Sequence, residues 1–290
     1  MKTNPKFTIE ADTTLLPFLI ANVAGKSRNN IKSLLTRGQI AVDGKVTTSH
    51  AHPLRVGQSV EILLNASLDA PPMLPILYED DELIAVNKPA GMLAISTEKE
   101  RERTAYHIVF DYMKAKPTPG RVFVVHRLDR ETSGVMLLAK SESIKRQLQD
   151  NWDAAVLRRG YVAVVEGHPA EPQRTIRSWL RETKTLLVYS SHTEGDGKLA
   201  ITSYTTRRAS SRYSLLDILL DTGRKNQIRV HMKDIGHPIA GDKKYGARTD
   251  PFHRLALHAS ALTLTHPVTG ETLHIEVPVP QQFAGVCRDR

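Results

Sequence analysis

The residues best suited to chemistry in this sequence lie in His126–Gly134, HRLDRETSG, where one carboxylate, Asp129, stands between Arg127 and Arg130. Two neighbouring guanidinium groups favour the ionised carboxylate, and a carboxylate held ionised is available as a nucleophile or a base. Apolar Val122–Val125 precedes the segment and Val135–Ala139 follows it, so Asp129 is expected on a loop between two short strands. A turn aspartate that bonds its own backbone looks the same locally. Spacing alone leaves both uses open.

Other chemistries fail on spacing. Gly25-Lys26-Ser27 ends like a phosphate-binding loop, but Ile20 stands where that loop needs its first glycine. No Gly-x-Gly-x-x-Gly and no Gly-x-Ser-x-Gly occurs. A kinase catalytic loop reads His-Arg-Asp with Asn five residues later; here Leu128 intervenes and Gly134 stands at the later position. His231 with His237, and His253 with His258, lack zinc-site spacing and supporting cysteine or carboxylate. No metal and no cofactor are expected.

The elements that must position Asp129 follow from composition and pattern. The chain has 290 residues, 40 % hydrophobic and 24 % charged, the composition of an ordinary globular protein of about two domains. Forty basic against 31 acidic residues give +9, an excess that suits a polyanion such as nucleic acid. Cys287 is the single cysteine, so no intrachain disulfide can form and a reducing compartment is the simpler setting. The apolar run Leu15–Ala21 is short, contains Pro17 and follows Glu10 and Asp12. It is neither a spanning helix nor a signal peptide, and the expectation is a cytoplasmic chain with no membrane partner.

Residues 1–70 carry eight basic and five acidic side chains, and Lys26, Arg28, Lys32 and Arg37 fall in a stretch without acid. Ile31, Leu34 and Leu35 recur at helical spacing. Ile40, Val42 and Val46 flank Asp43-Gly44, a strong hairpin signal, and Val56-Gly57-Gln58 turns into a strand at Val60–Ile62. Pro71-Pro72 breaks the pattern. This divides the chain into a small α+β domain at 1–68, a linker at 69–73 and a larger domain at 74–290. In the larger domain the pattern predicts a hairpin, Ile76–Tyr78 with Leu83–Val86, and strands at Val122–Val125, Val135–Ala139 and Tyr161–Val165. It also predicts a helix capped by Ser141 that aligns Ile144, Leu148 and Trp152, and a second helix over Thr222–Ile235 stopped by Gly236. The overall class is α+β, with more strand than helix.

HRLDRETSGVMLLAK resembles the catalytic-loop signature of the RluA-type pseudouridine synthases. NKPAGM at 87–92, YVAVVEG at 161–167, TGRKNQIRVHM at 222–232, GDKKYG at 241–246 and LHASALTLTHPVTG at 257–270 agree with that family in the same order. The stretch from about residue 12 to 65 resembles the S-four-type RNA-binding domain. The first resemblance implies a pseudouridine synthase fold: a mixed, largely antiparallel sheet flanked by helices. It implies isomerisation of uridine in structured RNA after base flipping, without metal or cofactor, by a monomer. Large-subunit ribosomal RNA is the favoured substrate; tRNA, or a catalytically silent RNA-binding assembly factor, are the alternatives. Position by position it implies that Asp129 is the essential aspartate, Tyr161 packs on the base and Arg229 pairs with the aspartate. Arg127 fills the space the base leaves, with Arg130 beside it on the RNA. The second resemblance implies RNA contacts at Lys26, Arg28, Lys32, Arg37 and Lys45. Asn226 stands where the first family commonly has His before QIR, and Asn cannot titrate.

Overall fold

The structure, a computed structural model, describes residues 4–23, 25, 28–36, 39–63, 74–97, 100 and 104–287. The chain divides into two compact units, residues 1–70 and 71–290. The expected linker at 69–73, Lys26 and Arg37 lie outside the described residues.

The first unit runs β1 (Lys6–Thr8), β2 (Thr13–Thr14), α1 (Leu15–Asn22), α2 (Arg28–Thr36), β3 (Ile40–Val42), β4 (Lys45–Val46), β5 (Pro53–Leu54) and β6 (Ser59–Ile62). Pro17 sits in the first turn of α1, where a helix has no use for its missing N–H. Leu15, Leu19, Ile31 and Leu35 are buried with Ile40, Val60 and Ile62. The strands pair in the order β1-β6-β3-β4. Asp43 and Gly44 close the β3–β4 hairpin at φ 48° and 77°, the left-handed pair that a two-residue hairpin turn requires.

The second unit begins with β7 (Ile76–Glu79), β8 (Leu83–Lys88), α3 (Ala105–Lys114), β9 (Phe123–Val124), β10 (Ser133–Ala139), α4 (Glu142–Asp150), α5 (Trp152–Ala155) and β11 (Val156–Glu166). It continues through β12 (Gln173–Glu182), β13 (Val188–Ser191), β14 (Lys198–Ala209), β15 (Tyr213–Leu220), α6 (Gln227–Asp234), β16 (Leu257–Thr265), β17 (Thr272–Glu276) and α7 (Gln281–Val286). Among the described residues these strands form one sheet in the order β13-β12-β14-β15-β11-β16-β10-β8-β7, with β17 on β16 and β9 on β10. All of these pairings are antiparallel except β10 with β16. All seven residues of β10 are buried, as a strand covered on both faces requires. Gly134 permits the parallel contact. It sits at φ 117°, and a Cβ there would meet the Ala259 carbonyl oxygen at 2.0 Å.

Two helices differ from the sequence pattern. The helix capped by Ser141, whose hydroxyl accepts from Ile144 N at 3.2 Å, ends at Asp150 rather than running through Trp152. Asn151 leaves helical geometry at φ −117°, ψ 26°, and Trp152 opens a separate turn. The helix expected over Thr222–Ile235 starts only at Gln227, because Asn226 adopts φ 54° and Thr222 turns its hydroxyl to Gln227 Oε1. Residues 222–226 therefore form a loop. The strand expected at Tyr161–Val165 is longer than its apolar run, since β11 starts at Val156.

Candidate active site

Asp129 stands on the loop between β9 and β10, where its own carbonyl accepts from Thr132 N at 3.1 Å. Its flanking arginines do not hold it. Arg130 turns outward to Glu100 at 2.6 Å, and Arg127 is exposed. The cation that faces Asp129 is Arg229, far along the chain on α6, with Nη1 3.6 Å from Oδ2.

Arg229 is held from behind. Its Nε and Nη2 donate to the two oxygens of Asp242 at 2.7 and 2.8 Å, and Nη1 donates to Asn226 Oδ1 at 3.2 Å. Asp242 is only 2 % exposed. It is placed by Gly241, whose φ of 81° leaves room for the Arg254 carbonyl where a Cβ would intrude at 2.2 Å. Tyr245 lies under the guanidinium at 5.0 Å and receives a hydrogen bond from Asn226 Nδ2 at 2.9 Å. Burial alone would lower the Arg229 pKa, but the Asp242 bonds and the charges of Asp242 and Asp129 outweigh it and raise it. Asp242, Arg229 and Asp129 thus form a line of alternating charge, with the fork geometry of arginine spent on Asp242. The left-handed Asn226 opens α6 and hydrogen-bonds both Arg229 and Tyr245, a role that needs no titration.

The loop carrying Asp129 is fastened from its other side. Lys88, last in β8 and fully buried, donates to the carbonyls of Pro89, Met92 and Arg130 at 3.0, 2.8 and 3.1 Å, and Gly91 N donates to the same Arg130 carbonyl at 2.9 Å. Burial lowers the Lys88 pKa to about 8, against the raising effect of the Glu131 and Asp129 charges. The NKPAGM segment is therefore a staple on the backbone next to Asp129.

Asp129, Arg229 and Tyr161 line one cleft of about 620 Å³, with Arg127 and Arg224 also at its walls. Tyr161 is half-buried on β11, and burial pushes its hydroxyl up to about 12, with Asp129 adding to the shift and Arg159 opposing it. The phenol stays neutral at working pH and offers an apolar face and a proton donor. Arg28, half-buried Lys32 and Lys45 sit on α2 and β4 of the first unit, where Arg28 and Lys45 are exposed. Asp242, Tyr245 and Lys88 are legible in the sequence only as members of motifs, with no charge pattern near them to mark a role. Among the described residues no cluster of three or more His, Cys, Asp or Glu could hold a metal ion, and no helix is long and apolar enough to cross a membrane.

Residues 82–234 match the family described as RNA pseudouridylate synthase. The chain belongs to that family. It is 33 % identical over 92 % of its length to an uncharacterised RNA pseudouridine synthase of Bacillus subtilis, covering 90 % of that protein. This pseudouridine synthase is also 31 % identical over 98 % of its length to ribosomal large subunit pseudouridine synthase C of Yersinia pestis, covering 96 % of it. Against synthase D of Pasteurella multocida the figures are 30 %, 89 % and 85 %. These relatives make it an enzyme of the RluA type. In fold it resembles human RNA pseudouridylate synthase domain containing 4, with a TM-score of 0.60 and 23 % identity, over 72 % of this chain and 90 % of that one.

Proposed function

We propose that this chain converts uridines of large-subunit ribosomal RNA to pseudouridine, with Asp129 as its catalytic carboxylate. The observation that carries the reading is the Asp242–Arg229–Asp129 line opening into a cleft floored by Tyr161. The substrate assignment rests on the relatives from Yersinia pestis and Pasteurella multocida, which are named for that RNA.

The reaction is an isomerisation. The C1′–N1 bond breaks, the uracil turns, a C1′–C5 bond forms, and the proton lost from C5 is balanced by one gained at N1. A uridine in folded RNA must first leave its stack, at a cost of about a few kcal/mol. Exposed Arg127, with a long cationic side chain at the rim of the cleft, fills the space the base vacates, and Arg130 lies next to it. The target uridine lies on Tyr161, whose neutral hydroxyl can exchange protons with the base. Asp129 acts at the sugar–base bond as nucleophile or base, with Arg229 Nη1 facing it at 3.6 Å. In the first unit, Arg28, Lys32 and Lys45, with Lys26 and Arg37, bind RNA phosphates in the manner of an S-four-type domain.

Asp129→Asn keeps the shape and removes the charge. The expected result is loss of pseudouridine formation with RNA binding within a few-fold of the unmutated protein. Pseudouridine formation at the native rate would refute the assignment. Mapping pseudouridines in total RNA from cells with and without the protein identifies the RNA, and a missing site in tRNA alone would move the substrate there.

A further inference from the structure

The cleft is larger than one nucleoside fills, and one part of its wall carries groups to which the isomerisation above gives no role. They are Trp152, Gln149, Asp153, Arg159 and His126. Trp152, in the short turn after Asn151, packs against the core that holds Ile144 and Leu148 of α4, but its side chain is only partly buried and borders the cleft. Behind it the His126 ring lies 5.3 Å away, tilted by 38°. His126 Nε2 accepts from Leu137 N at 3.0 Å, which fixes the ring in place as backing for the indole. The Gln149 amide nitrogen donates to the carbonyls of Val124 and Val125. Arg159 is held by the carbonyls of Leu220 and Asp221 and lies 3.7 Å from the exposed Asp153. This part of the wall is therefore aromatic with polar edges, and it lines the same cleft as Asp129 and Tyr161.

Resting on the function proposed above, we infer that the Trp152 wall of this cleft is a second base site for the nucleotide adjoining the target uridine, its base stacked on the indole. An indole face suits any base, because every base offers a π-face. Splaying two consecutive bases, one onto Tyr161 and one onto Trp152, makes extrusion of the target a two-residue event. It gives the enzyme a grip on the nucleotide next to the uridine, whichever base that nucleotide carries.

The chain has two tryptophans, so Trp179→Phe leaves Trp152 as the sole indole. The full-length protein, with Asp129→Asn added so that no probe is consumed, is titrated with uridine 5′-monophosphate and with the trinucleotide UpUpU, following Trp152 emission and calorimetric affinity. The trinucleotide is expected to quench the emission, whereas the bound monophosphate leaves it unchanged. Trp152→Leu should weaken trinucleotide binding by about tenfold, the effect of one lost base stack, and leave monophosphate binding intact. Trp152→Phe should restore most of the affinity, which separates stacking from a packing defect. Bound trinucleotide without quenching, or equal affinity of the Leu and Phe variants for it, overturns the second site and leaves the Asp129 site standing. If neither probe binds, the reading of the whole cleft falls, and the second site with it.

Discussion

Asp242→Asn tests whether the site is a line of three charges or a simple pair. The amide keeps the volume of the carboxylate but offers one acceptor oxygen in place of two. Of the bonds at 2.7 and 2.8 Å from Arg229, one disappears and an N–H then faces an NH₂. Removing one partner of a buried ion pair costs about 3–5 kcal/mol. Asp129, 3.6 Å away, compensates in part, so the lower end, about 3 kcal/mol, is the expectation. For a unit of this size that corresponds to a fall in Tm of about 6–12 °C. Catalysis suffers for a different reason. Released from Asp242, the guanidinium closes on Asp129 and takes up a lone pair that the reaction needs. A tenfold to hundredfold loss in kcat, about 1.4–2.8 kcal/mol of barrier, is expected with little change in KM. The assay is tritium release from ribosomal RNA labelled at uridine C5, since that hydrogen leaves when the new C–C bond forms. Combined with Arg229→Gln, the substitution should cost no further activity, because the two residues act as one unit. An unchanged kcat and midpoint for Asp242→Asn would refute the reasoning.

Arg229→Lys keeps the charge but cannot span both oxygens of Asp242 while facing Asp129; kcat should fall with RNA affinity preserved, as measured by tritium release and filter binding. Lys88→Met removes a donor from three carbonyls, of which that of Arg130 keeps Gly91 N–H; at up to about 1–3 kcal/mol for each of the other two, thermal unfolding should come earlier and turnover should drop as the Arg130 backbone loosens. His126, His231 and His258 are each lowered to about 4, first by burial. The unfolded chain then binds more protons between about pH 4 and the ordinary histidine value near 6.5, so stability declines as pH falls through that window. His231→Gln should flatten the Tm–pH slope there. Removal of residues 1–70 should weaken RNA binding and flatten its salt dependence by about 0.7–0.9 for every phosphate the shortened chain no longer neutralises; equal slopes for the full and shortened chains would make the basic helix a solvated face.

Much of the site is legible in the order of motifs, and the structure shows why the rest is not. Asp129 is conspicuous because two arginines flank it, yet neither Arg127 nor Arg130 is its partner. The pairing with Arg229 depends on Ile228 and Met232 of α6 packing into one core with residues of β11 and β15, which no local spacing encodes. Asp242 follows Gly241 in a motif that looks like a turn, and its carboxylate does cap the turn at Tyr245 N, 3.3 Å away, so its second use hides behind an ordinary one. The periodicity at Thr222–Ile235 overextends its helix for a related reason. Ile228 and Met232 mark the correct face, but nothing in the pattern signals that Asn226 takes a left-handed backbone. Trp152 fits the α4 stripe in number and does pack against the core of Ile144 and Leu148, but the break at Asn151 places it in a separate turn. The hairpins at Asp43-Gly44 and Ile76–Val86 are legible because a turn and its strands are contiguous.

The place of β16 has a consequence for how the molecule is made. It lies between β11 and β10, pairing along the first and joining the second at Ser133–Gly134, yet it is translated after both. Until residues 257–265 leave the ribosome, the sheet exists as two separate halves with open edges, β10 on one side and β11 on the other. Asp129 belongs to one half, and Tyr161 and Arg229 to the other. Unpaired edges invite association with other chains, and pairings between distant segments form slowly. The nascent protein therefore lacks an assembled catalytic site for most of its synthesis. A chain interrupted before β16 should be a substrate for chaperones and proteases rather than a partially active enzyme.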